Sequence, residues 1–279
     1  MKFYCLYDPR DSRNVSERIS FIEEAIKKKG LKYSFVDVSK PSNEWPNPKR
    51  GDIVHAITRG CYFAEPLLIR PGISSIYNSG IPFLGYDSDT TVFSAHFEQL
   101  NIPSPKTVYV EGEPPTKAYV LENFGLPVVF KATGSSSGNG TILVETEQQL
   151  QGVIDFLSNS QKRYLIREYI PNDGIWRIAV VDGSSYDPVL KRNRVGDFRS
   201  TGEFDYFDRG ECPAIIRNAA IEASSALNVS VGGADIAMHR ETSTPFVIEY
   251  NLRFNFACNE PLVANAIVNH LIAKVEQII

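Results

Sequence analysis

The N-terminal part of the chain alternates short apolar runs with an amphipathic segment, as strands and helices alternate in an open α/β sheet. Within 17–30, Ile19, Ile22 and Ile26 recur at helical spacing and predict a helix. Strands are predicted at 2–7, 33–38, 52–58 and 82–86. The first strand is followed by 8-DPRDSRNVS-16, which lacks the G-x-G-x-x-G pattern, so a dinucleotide site is not expected.

From residue 88 onward, the spacing of apolar residues changes repeatedly between the periods of helices and strands. Helices are predicted at 88–100, 115–124, 147–158, 214–227 and 262–278. Strands are predicted at 107–110, 126–132, 141–144, 164–170, 175–181, 233–239 and 245–252. Thr146 and Gln149 have the spacing of a capping box at the start of one helix. The stretch 190–204 is polar and basic, and no strand is predicted between 181 and 214.

Composition excludes several classes of partner. The 279 residues exceed one average domain, so two or three packed units around a shared cleft are expected. The hydrophobic content of 43% is enough for sizeable cores. The formal net charge of −4 provides no polybasic surface, so neither nucleic acid nor an anionic membrane is an expected partner. No charged-then-apolar leader opens the chain and no apolar run approaches the ~18 residues of a membrane span, so we expect a cytoplasmic protein.

The cysteines lack the paired spacing of zinc or redox motifs and are expected to be buried thiols: Cys5, Cys61, Cys212 and Cys258.

The loop 134-GSSSGNG-140 combines glycines with hydroxyl residues, so its backbone N–H groups can close over phosphate oxygens. Taken alone, this composition is more typical of a flexible hairpin turn. Lys131 ends the preceding strand beside the loop, which favours a flap that covers phosphates. Because no G-K-[ST] follows, the loop is not a P-loop.

The strand that ends at Glu168 and the acid that follows it, Asp173, could present backbone groups to an adenine and a carboxylate to ribose hydroxyls. The alternative is an ordinary strand end with solvated charges.

The strand 245–252 carries Glu249 and Asn251 among large apolar residues. Either these two face water on a half-exposed strand, or they share a face because a positive group lies there. Asp235 lies on another predicted strand, and residues at i and i+2 of a strand point to one face. Two carboxylates and an amide oxygen form the hard-oxygen set that magnesium prefers.

Basic residues surround this set in the sequence. They suit a developing phosphoryl charge better than nucleic acid, because the net charge is negative. For each one, a solvated surface position is the alternative. They are Arg177, Lys191, Arg192, Arg194, Arg199 and Arg253.

The order of these parts resembles that of the ATP-grasp superfamily and, within it, of RimK-type carboxylate–amine ligases. The segments 86–107 and 190–200 contribute to a resemblance that covers roughly residues 82 to 279. It implies an α/β protein, α+β in its catalytic part, with an ATP-grasp fold behind an N-terminal open-sheet domain. The implied divisions are an N-terminal domain at 1–88, a central lid with the flap at 89–168, and a C-terminal domain with the metal site at 169–279.

The resemblance also implies roles for individual residues. ATP phosphates, adenine and ribose would be bound by Lys131, Gly134, Ser135, Ser136, Ser137, Gly138, Glu168, Tyr169, Ile170, Asp173 and Lys191. Mg²⁺, with Mn²⁺ as a substitute, would be held by Asp235, Glu249 and Asn251. The acyl phosphate and the substrate carboxylate would be steadied by Arg177 and Arg199. Outside the family pattern, Arg253 is a further candidate carboxylate clamp.

Three features depart from the family pattern. Asp89-Thr90 stands where an Asp-Lys pair is common, so Lys106 or Lys191 would have to replace one phosphate-binding lysine. The residues 252–256 replace the usual small residue, Pro and Gly after E-x-N, which leaves the substrate open. The chain also has little room for inserted substrate loops.

The resulting hypothesis is an ATP- and Mg²⁺-dependent ligase that forms an amide through an acyl phosphate and releases ADP and phosphate. Its partners would be a small-molecule or peptide carboxylate, an amine and, as is common among such ligases, further copies of itself. The alternatives are a nucleotide-binding module without ligase activity and a ligase that uses a hydroxyl acceptor.

Overall fold

The computed structural model consists of helices and three β-sheets. It describes the positions of part of the residues. The described residues are 1–10, 15–58, 61, 64–76, 94, 97–133, 138–158, 163–200, 202–208, 210–251 and 260–278. The strand predicted at 82–86 and most of the helix predicted at 88–100 lie outside them.

The first sheet is parallel and has the strand order β2-β1-β3 among the described residues. Its strands are β1 (Lys2–Tyr7), β2 (Lys32–Asp37) and β3 (Ile53–Ala56). Helix α1 (Val15–Lys28) connects the first two strands, and the short helix α2 (Ala64–Leu68) follows the third. The chain leaves α1 through Gly30 at φ +65°, a left-handed conformation that glycine adopts without steric cost.

The second sheet is antiparallel, with the order β4-β7-β5-β6. Its strands are β4 (Thr107–Val110), β5 (Val128–Ala132), β6 (Thr141–Val144) and β7 (Tyr164–Glu168), and its helices are α3 (Lys117–Asn123) and α4 (Glu147–Ser158). The predicted capping box is confirmed at α4, where the Gln149 N–H donates to Thr146 Oγ1 at 3.2 Å and the Thr146 N–H donates to Gln149 Oε1 at 3.1 Å.

The third sheet is also antiparallel, with the order β10-β9-β8-β11-β12. Its strands are β8 (Gly174–Val181), β9 (Ser184–Arg192), β10 (Phe204–Tyr206), β11 (Val231–Met238) and β12 (Pro245–Asn251). The expectation of no strand between 181 and 214 was wrong. The polar composition of β9 and its Pro188 hid the strand, and the ladder shifts register between Arg177 and Ala179, opposite this proline.

Two helices cover opposite faces of the third sheet. Helix α5 (Ala214–Ala226) packs on the face that contains Ile178, Ala234 and Tyr250. Helix α6 (Glu260–Ile278) lies on the other face, against Ala179 and Val231, and also packs against α1 and the first sheet.

Side-chain hydrogen bonds further join α6 to the segment after β3. Ser74 Oγ donates to the Leu271 carbonyl at 2.8 Å, and Lys274 Nζ donates to the Ser75 carbonyl at 2.7 Å. In addition to these hydrogen bonds, buried apolar residues of the first and third sheets and of α6 form one common core.

The predicted burial of the thiols is confirmed for Cys5, Cys61 and Cys212, while Cys258 lies outside the described residues. Among the described helices, none combines the length and apolar character that a membrane crossing needs.

Candidate functional site

A row of charged residues crosses three neighbouring strands of the third sheet. Arg177 of β8 is directly opposite Asp235 of β11, and Asp235 is directly opposite Glu249 of β12. Directly opposed residues project from the same face of a sheet. Strand alternation places Arg177 with Ala179 and Val181, on the face that α6 covers farther along.

Arg177 and Asp235 form a bidentate ion pair. Nε donates to Oδ1 and Nη2 donates to Oδ2, both at 2.8 Å, and the two side chains are 28% and 14% exposed. The Asp235 charge raises the pKa of Arg177 above its usual range, although burial acts in the opposite direction.

Lys131 reaches the row from the second sheet. Its Nζ lies 3.1 Å from Glu249 Oε2, and the two side chains are only 16% and 23% exposed. The pair therefore lies in the space between the second and third sheets. This contact answers the question posed by the sequence, because positive groups do lie beside Glu249.

A β-bulge sets the direction of Glu249. Asp235 pairs with Glu249 but the next residue of β11, Ile236, pairs with Val247, so Ile248 is an extra residue in β12. Val247 and Tyr250, three positions apart, consequently both pack on the α5 side. In an unbroken strand, Glu249 would share the face of Val247. The bulge instead sends it to the face of Asp235.

Arg167 of β7 is a buried residue at this site that the sequence reasoning missed. Its Nη1 donates to the carbonyl of Ile248 at 3.1 Å. Burial lowers the pKa of Arg167 to about 10, against the effect of Glu249, so the guanidinium stays charged at neutral pH. The signal was present in the sequence, since this arginine interrupts the apolar run of 164–170 just as Glu249 interrupts its own strand.

Lys191 lies beside the charged row, whereas Lys106 is engaged elsewhere. Burial lowers the pKa of Lys191, with Arg177 adding to the shift and Asp235 opposing it. The Lys106 ammonium donates to the Asn123 carbonyl at 2.8 Å and lies 5.2 Å from the centre of the Phe124 ring. Lys191 is paired with Ile175 of β8, two residues from Arg177, and its ammonium lies 5.4 Å from the centre of the Phe204 ring.

Arg199 connects the segment after β9 to the glycine-rich loop. It donates to both carboxylate oxygens of Asp197, with Nε–Oδ1 at 2.9 Å and Nη2–Oδ2 at 2.8 Å. These hydrogen bonds hold the pKa of Asp197 at about 2. Arg199 Nη1 also lies 3.5 Å from the carbonyl oxygen of Gly138. Gly138 has φ +76°, a left-handed conformation of the kind expected of such a loop.

The residues expected to hold adenine and ribose begin at Glu168, the last residue of β7. The Glu168 carboxylate accepts the Lys106 N–H at 3.1 Å, and the Tyr169 ring meets Phe198 edge to face at 6.3 Å. Ile170 is buried. Asp173 forms an exposed ion pair with Arg240 at 2.8 Å.

The carboxylates of the row fit a divalent cation in their donor chemistry. Asp235 and Glu249 already attract two cationic side chains, and Asn251 is buried two residues farther along β12, opposite Gly233. Among the described residues, no group of three or more His, Cys, Asp and Glu could hold a metal. Two carboxylates with one amide leave the remaining ligand positions to water and phosphate, which is how magnesium is usually bound.

The other predicted site residues, Arg253 and Gly134, Ser135, Ser136 and Ser137 of the loop, lie outside the described residues. So does Thr90, where the family has its second lysine.

Comparison with protein families identifies residues 92–274, more than half of the chain, as matching the RimK-like ATP-grasp domain. A probable alpha-L-glutamate ligase of Parasynechococcus marenigrum is 26% identical over 184 residues, covering 63% of this chain and 38% of the relative. The corresponding protein of Sodalis glossinidius is 30% identical over 153 residues, covering 54% and 51%. The match thus spans about half or less of the length of these curated relatives.

Several solved structures share the fold over nearly the whole chain. A RimK domain ATP-grasp protein from Sphaerobacter thermophilus superposes with a TM-score of 0.66 at 18% identity, covering 97% of this chain and 99% of the other. D-alanine–D-alanine ligase from Bacillus anthracis, complexed with ATP, gives 0.71 at 14% identity and covers 100% and 97%.

A RiPP-associated ATP-grasp ligase from Chryseobacterium gregarium, in complex with ADP and a leader and core peptide, gives a TM-score of 0.69 at 15% identity, covering 98% and 97%. The predicted fold class, α/β with an ATP-grasp fold, is confirmed by these similarities.

Proposed function

The chain belongs to the RimK-like ATP-grasp family, and from this premise we propose that it is an ATP-dependent ligase that joins a carboxylate to an amine. The observation that carries the proposal is the meeting of Lys131 with the row of Arg177, Asp235 and Glu249 between two sheets. This arrangement concentrates cationic donors and hard-oxygen acceptors in one cleft, as binding of a metal-complexed triphosphate requires.

Asp235, Glu249 and Asn251 would hold Mg²⁺, or Mn²⁺ in its place. When bound, the ion would neutralise phosphate charge. Lys131 would bind the α and β phosphates, and the loop at 134–138 would cover the β and γ phosphates. Glu168, Tyr169 and Ile170 would line the adenine pocket, with Asp173 near the ribose.

The cations of the row would change partners when substrate binds. Lys131 and Arg177 now neutralise the two carboxylates that a metal would neutralise instead. Once displaced, the ammonium and the guanidinium would be within side-chain reach of the phosphates. Lys191, held beside Arg177 in a partly buried position, would add a third positive group.

The proposed reaction would use this placement of charge. A substrate carboxylate oxygen attacks the γ-phosphorus, the bond to the β–γ bridging oxygen breaks, and ADP leaves. The amine nitrogen then attacks the acyl carbon, the C–O bond to phosphate breaks, and amide, phosphate and a proton are released. Arg177 and Arg199 would stabilise the negative charge that develops in both steps, with Arg253 as a further carboxylate clamp. The chain would contribute orientation and charge rather than a covalent nucleophile.

The substrates proposed are an amino acid or peptide carboxylate and an amine. Support comes from relatives named as probable glutamate ligases and from a similar structure that holds a leader and core peptide. We propose the same three-part division as before, 1–88, 89–168 and 169–279. It is supported by the fact that each described sheet is built from strands of one segment only.

Oxygen-isotope transfer tests this mechanism. A carboxylate substrate labelled with ¹⁸O should deliver one label to inorganic phosphate, because the attacking oxygen leaves with the phosphoryl group. Unlabelled phosphate alongside amide formation would exclude the acyl phosphate. Mass spectrometry of the product would separate an amide from the ester that a hydroxyl acceptor would give.

A further inference from the structure

Arg167 is a charged residue buried within the second sheet, only 5% exposed. Its guanidinium donates to oxygen atoms on three separate segments. Nη2 meets Ser94 Oγ at 2.5 Å, Nε meets Thr107 Oγ1 at 3.2 Å, and Nη1 meets the Ile248 carbonyl at 3.1 Å. Thr107 belongs to the second sheet, as Arg167 does, whereas Ile248 belongs to the third sheet. Ser94 lies earlier in the chain than either sheet.

The contact with Ile248 falls on the bulged residue itself. Ile248 is the extra residue that turns Glu249 away from the apolar α5 side and toward Asp235. A bulge leaves its extra residue unpaired in the ladder, so that residue's carbonyl needs another donor. Arg167 provides one, from a strand of the neighbouring sheet.

An apolar side chain would fill the core of β7 without the cost of burying a cation. Lysine would keep the charge but has no planar fork to join three acceptors at fixed angles. The geometry therefore calls for the guanidinium shape as well as its charge.

We propose that Arg167 is a positioning residue that fixes the Ile248 bulge and thereby aims Glu249 into the site where the metal and nucleotide would bind. The inference rests on the proposed function. It adds a role for a residue that lies one sheet away from the carboxylates it orients.

A purely electrostatic role and a positioning role of Arg167 predict opposite changes in the affinity for a divalent cation when Arg167 is replaced. By charge alone, removing a cation near Glu249 should strengthen binding of a divalent cation. If Arg167 acts by positioning, its removal should weaken that binding, because Glu249 would lose its direction. Changes of outer-shell partners of metal ligands typically cost about 10- to 100-fold in affinity.

The experiment measures Mn²⁺ binding to the full chain in the presence of ADP, from the loss of the free Mn²⁺ resonance in electron paramagnetic resonance. The variants are Arg167→Met and Arg167→Lys, the second of which retains the buried charge. Thr107→Val is the matched control, since it removes one partner of Arg167 and leaves the contact with Ile248. We expect both Arg167 variants to bind Mn²⁺ about 10-fold more weakly or worse, and the control to change little.

A double-mutant cycle shows whether the effect passes through Glu249. In a Glu249→Gln background, Arg167→Lys should change Mn²⁺ binding by less than about twofold, because residues that act as a unit are not additive. A full loss in that background would overturn the inference in favour of a general structural role. Unchanged or tighter binding by Arg167→Met, or wild-type binding by Arg167→Lys, would overturn it as well.

Folding and the proposed function are checked separately. Near-ultraviolet circular dichroism reports whether each variant is folded. If Arg167→Met is not folded, the Mn²⁺ affinity of Arg167→Lys alone tests the positioning role. Failure of the wild type to bind Mn²⁺ with ADP would overturn the proposed function. Binding by the wild type that Arg167 variants do not weaken would overturn the positioning role alone.

Discussion

Lys131 of β5 and Glu249 of β12 lie in different sheets and are 118 positions apart, yet their charged atoms meet at 3.1 Å. The pair is mostly shielded from water, so the attraction between the two charges is screened less than it would be on an exposed surface. In the proposed ligase, this contact would connect the strand that binds phosphate to the strand that binds the metal.

Lys131→Met should reduce ATP turnover by about 100-fold or more, because a preorganised positive group at the phosphates is lost. The kinetic measurement is kcat/KM for ATP. Lys117→Met is the matched control, since Lys117 pairs with Glu147 at 2.6 Å on the exposed surface and should be neutral. Equal activity of the two variants would contradict the role of Lys131.

Asp235→Asn should destabilise the fold as well as abolish activity. The substitution removes the charge that faces a mostly buried Arg177, and a lost charge-assisted hydrogen bond costs about 1.5–3 kcal/mol. The measurement is the free energy of unfolding in urea. Asp173→Asn offers a comparison, because its pair with Arg240 is exposed and should contribute no more than about 1 kcal/mol. A larger effect at Asp173 than at Asp235 would refute the account of the row.

Gly232→Ala should destabilise the third sheet, since a Cβ there would lie 2.3 Å from the ring of the buried Tyr250. Overpacking of this kind typically costs about 1–3 kcal/mol. Gly152→Ala provides the opposite case, because no atom lies within 4 Å of a Cβ at that position in α4. Alanine there should stabilise the helix by roughly 0.5–1 kcal/mol. Thermal unfolding measures both effects: the midpoint temperature should fall for Gly232→Ala and rise for Gly152→Ala.

Local pattern was enough to predict several elements with their bounds, including β1, β4, β6 and α4. The three strands are short runs of apolar residues, and α4 begins with a capping box that the structure forms. Strand β9 was missed because Pro188 and several polar residues interrupt its period. The structure accommodates the proline at a register shift, a feature that depends on the partner strand β8.

The sequence indicated which residue types belong to the candidate site but not how they are paired. Arg177 was expected to meet phosphate or carboxylate groups of a ligand, and the structure shows it paired with Asp235. The Ile248 bulge, which reverses the face of Glu249 relative to Val247, arises from pairing between β11 and β12. Register between strands is a tertiary property, so spacing along one strand could not reveal it.

His270 should make stability depend on pH. It is 9% exposed, its Nδ1 lies 3.5 Å from Asp182 Oδ1, and burial lowers its pKa, with Asp182 opposing this effect and Lys274 reinforcing it. The unfolded chain then binds the proton more readily than the folded chain below the ordinary pKa of about 6.5. The stabilisation is present above that value and is lost as pH falls toward the folded pKa.

Urea unfolding between pH 7.5 and pH 5 measures this dependence. His270→Gln should flatten the decline in the free energy of unfolding as the solution is acidified. Asp182→Asn should steepen it, because the carboxylate that raises the pKa of His270 is removed. Identical slopes for the wild type and His270→Gln would rule out this residue as the source.

Magnesium-dependent release of ADP from ATP, assayed with pooled amino acids, dicarboxylates and short peptides, tests the central claim most directly. Glu249→Gln is the inactivating variant, and Glu241→Gln, an exposed position outside the charged row, is its matched control. We expect release by the wild type and Glu241→Gln with at least one pool, and none by Glu249→Gln or with the metal chelated. ATP binding without ADP release on any pool would contradict the ligase and support a nucleotide-binding module instead.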